Sequence, residues 1–295
     1  MIKNYIKLLR VPQWIKNFFV FVPIIFSRHI FDMSYLYTAV LGFIAFCFTS
    51  SIVYILNDVM DVEADRAHPV KKNRPIASGK ISVTNAIVTA VVLLSLTVAW
   101  FIYFGVNSYF ILCIVSYFII NFLYSVKLKH MVLLDIFSIA AGFMLRVLSG
   151  GLIINVYISS WLILTTMFIS LFLAVMKRYS ELDIAANGST KSTRKVLEQY
   201  TQNYTQQMAV IAAAATIICY ALYTVSERTI KAFNTENLIY TTPFVVFGIF
   251  RYMYLVYMDK KKGENTTEVM LTDIPMIANV VLYFVIITFI LYNKL

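Results

Sequence analysis

Charge is what this sequence has least of. Asp, Glu, Lys and Arg make up 14% of its 295 residues, against about 25% in an ordinary soluble domain. Hydrophobic residues make up 60%, more apolar surface than a soluble core of this size could hide. Cysteine is scarce too. Cys47, Cys113 and Cys219 each sit inside an apolar run without metal-ligand spacing, which argues against a disulfide or a zinc site and predicts buried free thiols. No small-residue cleavage site follows Lys3, Lys7, Arg10 and the apolar residues between them. The start of the chain therefore reads as an interfacial helix over residues 1–12 rather than a signal peptide.

What fills the chain instead is a series of apolar runs, each long enough to cross a hydrocarbon core of about 30 Å. The runs predict spans from Gln13 to Ser27, Tyr35 to Leu56, Val83 to Gly105, Tyr109 to Ser125, Leu133 to Ile153, Ser160 to Met176, Gln207 to Ser226, Thr241 to Tyr257 and Ile274 to Tyr292. The fold class expected is all-α, with about nine transmembrane helices in a single polytopic domain over residues 1–295.

The formal net charge of +10 does not point to nucleic acid, because the cations gather in alternate connectors. Lys16 joins the basic N-terminus. Arg66, Lys71, Lys72, Arg74 and Lys80 lie in the connector 57–82, and Lys127 and Lys129 in the next on that side. Lys177, Arg178, Lys191, Arg194 and Lys195 follow in the connector 177–206, and Lys260, Lys261 and Lys262 near the end. The other connectors hold only Arg28, Arg228, Lys231 and Lys294. By the positive-inside rule the N-terminus and the basic connectors face the cytoplasm of a cell membrane.

Topology signalling does not explain the acids. After the second span comes N-D-V-M-D-V-E-A-D-R, residues 57–66. On a continuous helix Asp58, Asp61 and Asp65 fall at about 0°, 300° and 340°, one stripe of carboxylates, with Asn57 a turn from Asp61. Like charges at that spacing repel. Hard oxygen donors at a helix end are what Mg²⁺ takes when it also holds substrate phosphates, so the expected ligands are Asn57, Asp58, Asp61 and Asp65. His68, Pro69, Lys71, Lys72, Arg74, Pro75 and Gly79 follow directly. Cations beside such carboxylates suit a diphosphate shared between the metal and Arg or Lys.

The run from Asn57 to Gly79 resembles the first aspartate-rich motif of the UbiA superfamily of intramembrane prenyltransferases. That resemblance implies a Mg²⁺-diphosphate site in a cavity open to the bilayer. Prenyltransferases of the superfamily carry a second acid pair after the sixth helix. Here Lys177, Arg178, Tyr179, Ser180, Glu181 and Leu182 stand instead. A local Lys177–Glu181 ion pair, about 0.3 kcal/mol, is one account of that run; a second phosphate-binding wall is the other.

Gln13–Trp14–Ile15–Lys16–Asn17, the run Tyr124 to Lys129, Gly142 to Arg146, and Arg251, Tyr252, Glu264, Glu268 and Asp273 extend the resemblance. They are similar to the branch that moves phosphoribose from phosphoribosyl pyrophosphate to decaprenyl phosphate, a committed step toward a lipid-linked arabinose donor for the cell wall. That implies a Mg²⁺-dependent transferase whose partners are the membrane, a polyprenyl phosphate and phosphoribosyl pyrophosphate. A homo-oligomer is compatible with it.

The expected catalytic acids are Asp58, Asp61, Asp65 and Glu181. The expected substrate contacts are Lys16, Asn17, Asn57, Arg66, Lys71, Arg74, Lys127, Asp135, Arg146, Lys177 and Arg178. Asp135 and Arg146, about 20° apart on one helix and about 16 Å along it, are expected to face one cavity. A charge inside a span costs about 2.5–3.5 kcal/mol, which marks Arg146 and Arg251 as functional suspects. Tyr54, Tyr117 and Tyr124 read by default as interfacial anchors. Two rivals remain: a prenyltransferase using a prenyl diphosphate and an aromatic or tetrapyrrole acceptor, and a transporter. Against the transporter, no internal repeat and no Gly/Pro-broken span is evident.

Overall fold

The computed structural model describes residues 2–68, 71–186, 195–258 and 272–292, and among these every regular element is a helix. Leaving aside four short 3-10 turns, they are α1 (Ile2–Leu8), a 3-10 stretch (Val11–Phe21), α2 (Val22–Ile25), α3 (Met33–Met60) and α4 (Val62–Ala67). Next come α5 (Val83–Tyr103), α6 (Ser108–Val126), α7 (Leu134–Ile153), α8 (Ser160–Ala186), α9 (Gln202–Val225), α10 (Glu227–Phe233), α11 (Thr242–Met258) and α12 (Ile274–Tyr292). Among the described residues 8 helices are long and apolar enough to cross a membrane, and α1 with the bent Val11–Ile25 segment raises the number to 9. The chain is a multi-pass membrane protein, all-α as expected.

Local chemistry explains the boundaries. Ser82, Asn107 and Thr201 open α5, α6 and α9 by accepting from the backbone N–H of Asn85, Tyr109 and Tyr204 at 3.2, 2.8 and 3.1 Å, which satisfies donors a helix start leaves bare. The Thr201 cap starts α9 five residues before the expected Gln207. Threonines inside the spans satisfy their hydroxyls within their own helix, as Thr49, Thr97 and Thr216 do on the carbonyls of Ala45, Leu93 and Ala212. Hydrocarbon offers no other partner.

Two expectations are corrected. The first span, from Gln13 to Ser27, is a 3-10 stretch running into the short α2; Pro23 removes the donor that would carry an α-helix through and crowds the turn before it, while Pro12 lies in the first turn, where proline is tolerated. The connector beginning at 177 is helix for its first turns, since α8 continues to Ala186. The run from Lys177 to Ala186 contains neither Gly nor Pro, so nothing stops the helix where the apolar residues end.

The chain divides into two compact units, Met1–Lys127 with Ala141–Tyr157, and Leu128–Ala140 with Ile158–Leu295. In the first, Leu8 of α1 packs with Ile52 and Ile55 of α3, with Ala86, Ala90 and Leu93 of α5, and with Ile76 and Ile81 of the connector. The same unit packs Gly150 of α7 directly on the 3-10 stretch: a Cβ there would lie 2.1 Å from the Val20 carbonyl oxygen. In the second unit Ala209, Ala212 and Ala213 of α9 join Phe172, Val175 and Met176 of α8 in the core. Small side chains let membrane helices approach closely.

Candidate active site

The acidic run does not form one straight stripe. Helix α3 stops at Met60, Asp61 takes φ −96°, ψ 11°, and α4 begins at Val62. The break brings Asp58 and Asp65 round to one cation. Arg74 donates from Nη1 to Asp58 Oδ1 at 3.0 Å and to Asp65 Oδ2 at 2.6 Å. Both carboxylates are buried. Arg74 is carried by a tight turn that closes through Ser78 N–H to Arg74 O at 2.9 Å and Ile81 N–H to Pro75 O at 3.0 Å. Gly79 turns there at φ 73°, and buried Ile76 and Ile81 fasten the turn from below.

Arg10 completes the cluster, and the sequence reading had assigned it only to topology. It donates from Nη2 to the same Asp58 oxygen and lies over the Tyr54 ring, 4.7 Å from its centroid. The signal available was charge balance: buried acids in an apolar segment require more than one cation.

Asn57 and Asp61 are joined by Asp61 N–H to Asn57 O at 3.0 Å. Arg66 pairs at the surface with Glu63 at 3.0 Å, both exposed, and stays out of the cluster. Lys71 caps its turn through a backbone N–H to His68 Nδ1 at 3.3 Å. Lys127 ends α6, exposed, with no ion pair among the described residues.

Asn17 and Arg146 belong together. Arg146 Nε donates to Asn17 Oδ1 at 2.8 Å, Nη2 to the Tyr117 hydroxyl at 2.9 Å and Nη1 to the Gly142 carbonyl at 2.9 Å. Asn17 in turn donates to Ser50 at 3.2 Å and to Cys47 Sγ at 3.3 Å. Tyr117 is buried rather than an interfacial anchor. Every hydrogen-bond partner of this buried arginine is neutral. Lys16, the neighbour of Asn17, is half-buried.

In the second unit Arg178 is 0% exposed. Its Nη1 lies 3.0 Å from Glu181 Oε2 and 3.8 Å from Asp135 Oδ2. Glu181 thus pairs with Arg178, three residues earlier on α8, rather than resting on Lys177 alone. Tyr200, which the sequence reading passed over, donates its hydroxyl to Asp135 at 2.8 Å and accepts the Leu133 N–H at 2.7 Å. Burial, reinforced by the Asp135 carboxylate it is bonded to, pushes the Tyr200 phenol well above its usual range. None of the three guanidinium nitrogens of Arg178 has a hydrogen bond of good geometry among the described residues. A buried guanidinium with unused donors can take a further oxygen acceptor, but its two flanking acids leave the trio negative, so a phosphate there requires a second cation beside it.

Asp135 and Arg146, expected to face one cavity, are held by different partners: Asp135 by Tyr200 and Arg178, Arg146 by Asn17 and Tyr117. Arg251 forms a two-point bridge to Asp273, 3.0 Å from Nε and 2.9 Å from Nη2. Asp273 also accepts the Met276 N–H at 2.9 Å and so caps α12. Glu264 and Glu268 lie outside the described residues.

Among the described residues no three His, Cys, Asp or Glu side chains group as a metal-ligand set. The donors in the Asp58–Asp65 cluster nevertheless fit Mg²⁺. They are hard carboxylate oxygens, buried, and already converge on a shared cation, and substrate oxygens complete such a shell.

The family model described as the UbiA prenyltransferase family matches residues 18–291. A decaprenyl-phosphate phosphoribosyltransferase of Mycolicibacterium smegmatis is 31% identical over 92% of this chain and 87% of its own length. The Corynebacterium glutamicum protein of the same name is 34% identical over 91% and 80%. Among solved structures, a UbiA homolog from Archaeoglobus fulgidus bound to GPP and Mg²⁺ aligns over 98% of this chain and 99% of its own, with a TM-score of 0.68 and 18% identity.

Proposed function

Because the chain belongs to the UbiA prenyltransferase family, whose members catalyse group transfer, we propose that it transfers 5-phosphoribose from phosphoribosyl pyrophosphate to a polyprenyl phosphate of the decaprenyl type, releasing diphosphate. The observation that carries this reading is Arg178. A wholly buried guanidinium with unused donors stands where a prenyltransferase of the superfamily carries its second acid pair. Two relatives that bear the name of this activity support it.

In this reading Asp58 and Asp65, with Asn57 and Asp61, hold Mg²⁺. Held there, Mg²⁺ would supply positive charge against the diphosphate leaving group. Arg74 follows that charge onto the diphosphate oxygens, because it already reaches both carboxylates and is only partly buried. The phosphate oxygen of the lipid attacks C1. It is anionic before it reacts, so the acceptor needs cations to place it and no general base to activate it. The cations available for that role are Arg178 and Lys177 on α8 of the second unit, or Lys16 on the N-terminal segment of the first. Arg146, held at three points, keeps Asn17 and the start of the chain fixed. The bias of Lys and Arg toward alternate connectors supports a cytoplasmic N-terminus and cytoplasmic basic connectors in this reading.

Purified protein in detergent, incubated with Mg²⁺, labelled phosphoribosyl pyrophosphate and decaprenyl phosphate, should carry label into the organic phase, and Asp58→Asn should abolish the transfer. No label, with consumption of a prenyl diphosphate and an aromatic acceptor instead, would overturn the reading in favour of prenyl transfer.

A further inference from the structure

Two arginines share one oxygen of Asp58, and they reach it differently. Among the described residues Arg74 also serves Asp65 and so ties the two acids together, whereas Arg10 has Asp58 as its one carboxylate partner. It does so from a left-handed backbone, φ 51°, ψ 44°, at the junction between α1 and the 3-10 stretch, where the chain bends by 49°. Such a conformation is unfavourable for a residue with a Cβ and is relaxed for glycine. Backbone strain of this kind is held in place by its surroundings and gathers at functional sites.

The surroundings here are specific. Leu9, the residue before, gives its carbonyl to Ser51 Oγ at 2.9 Å, and Trp14, four residues after, donates to the same hydroxyl at 3.1 Å. Leu8 is fully buried against α3. The backbone of Arg10 is thereby pinned on both sides to one residue of α3. The guanidinium is different: its side chain is 23% exposed and rests on the face of Tyr54, a surface that attracts a cation without bonding it.

We propose that Arg10 is a diphosphate-binding residue parked on Asp58, which a divalent cation displaces onto the incoming substrate. The proposal rests on the metal-diphosphate part of the function above and not on the identity of the sugar or the lipid. Charge drives the displacement. Two guanidinium groups balance the two buried carboxylates, and even with Asp61 counted a divalent ion entering between the acids leaves the site positive and repels both arginines. Arg10, with one carboxylate contact against the two of Arg74, is the one released first. Its planar fork matches the paired oxygens of a diphosphate, which restores the charge balance. The free enzyme is then protected from holding two bare buried acids, and the metal and the diphosphate bind cooperatively.

The test uses full-length protein in detergent and two probes: Mn²⁺ alone, followed by the electron paramagnetic resonance of the free ion, and inorganic diphosphate in excess Mg²⁺, followed by calorimetry. Arg10→Gly removes the side chain and suits the left-handed backbone. Lys7→Gln, on the exposed side of α1, is the control. Arg10→Gly should take up Mn²⁺ more tightly than wild type, since a competing cation is gone. It should bind diphosphate about tenfold more weakly, the scale of one charge-assisted hydrogen bond. Lys7→Gln should match wild type in both.

Wild-type values for both probes in Arg10→Gly would overturn the proposal while leaving the function standing. So would weakening of both probes, which marks a merely structural role, or tighter Mn²⁺ with unchanged diphosphate. A wild-type protein that binds no diphosphate in Mg²⁺ overturns both the proposal and the reading it rests on.

Discussion

Tyr200 donates its hydroxyl to Asp135 at 2.8 Å across 65 residues of chain. The bond ties the connector after α8 to the first turn of α7, and the same oxygen accepts the Leu133 N–H. Tyr200→Phe leaves a buried acceptor on Asp135 and a backbone donor without a partner, which costs about 1–3 kcal/mol. Thermal unfolding in detergent near neutral pH should show the loss. The deficit should shrink above pH about 10, the usual tyrosine value. The folded phenol titrates above that value, so its stabilisation is complete below it and is lost as pH rises, and the phenylalanine variant has no such loss. An unchanged melting temperature at neutral pH would mean the bond carries no weight.

Arg178 separates stability from function. Arg178→Met takes the guanidinium away from Asp135 and Glu181, and breaking a buried pair on one side costs about 3–5 kcal/mol. Adding Asp135→Asn and Glu181→Gln removes the stranded charges and should return most of the melting temperature. Turnover should stay at least about a hundredfold down if Arg178 binds phosphate as proposed, because that cation is still missing. Recovery of turnover along with stability would make Arg178 a structural residue.

How much of this was legible follows from how each residue makes itself known. A charge in an apolar run stands out by itself, as Arg146 does, whereas Asp58 and Asp65 are singled out by their spacing in the acidic run and Arg178 by standing in a cationic run where the resembling prenyltransferases carry a second acid pair. The apolar runs themselves announce the spans. Arg10 and Tyr200 are ordinary in their own segments, a cation among lysines and one tyrosine among many, and acquire meaning only through partners 48 and 65 residues away. The helical stripe for Asp58, Asp61 and Asp65 failed for a local reason with a distant cause. A straight helix would stack the acids, whereas the break at Asp61 lets Asp58 and Asp65 share Arg74. The end of α8 was misread because hydropathy marks where lipid stops, not where hydrogen bonding stops.

Gly150 tests the packing of the first unit. A methyl group there would collide with the Val20 carbonyl, and backbone cannot step aside as a flexible side chain can. Gly150→Ala should lower stability by about 1–3 kcal/mol. It should also reduce activity by shifting the 3-10 stretch that carries Lys16 and Asn17. Calorimetry of the variant beside Gly248→Ala, where the nearest atom is a side-chain nitrogen of Asn279 at 3.3 Å, separates the two cases. Equal effects at the two glycines would contradict the close approach at Gly150.

Arg251 and Asp273 offer the last test, because their pairing is bidentate and one partner does two jobs. Arg251→Lys keeps the charge but cannot reproduce the two parallel bonds at 3.0 and 2.9 Å, since an ammonium is a point charge without the planar fork. Asp273→Ala removes the bridge and also the acceptor for the Met276 N–H, so it should cost more than Arg251→Ala by about 1 kcal/mol, the worth of a helix cap. Asp273→Ser restores a cap without the charge, and it should recover that difference while leaving the ion-pair loss in place. A double-mutant cycle between positions 251 and 273, read by thermal unfolding, isolates the pair itself. Coupling above about 0.5 kcal/mol is expected for partners in direct contact. Additive losses would show that the bridge forms without stabilising the junction of α11 and α12, and would leave the cap as the only contribution of Asp273.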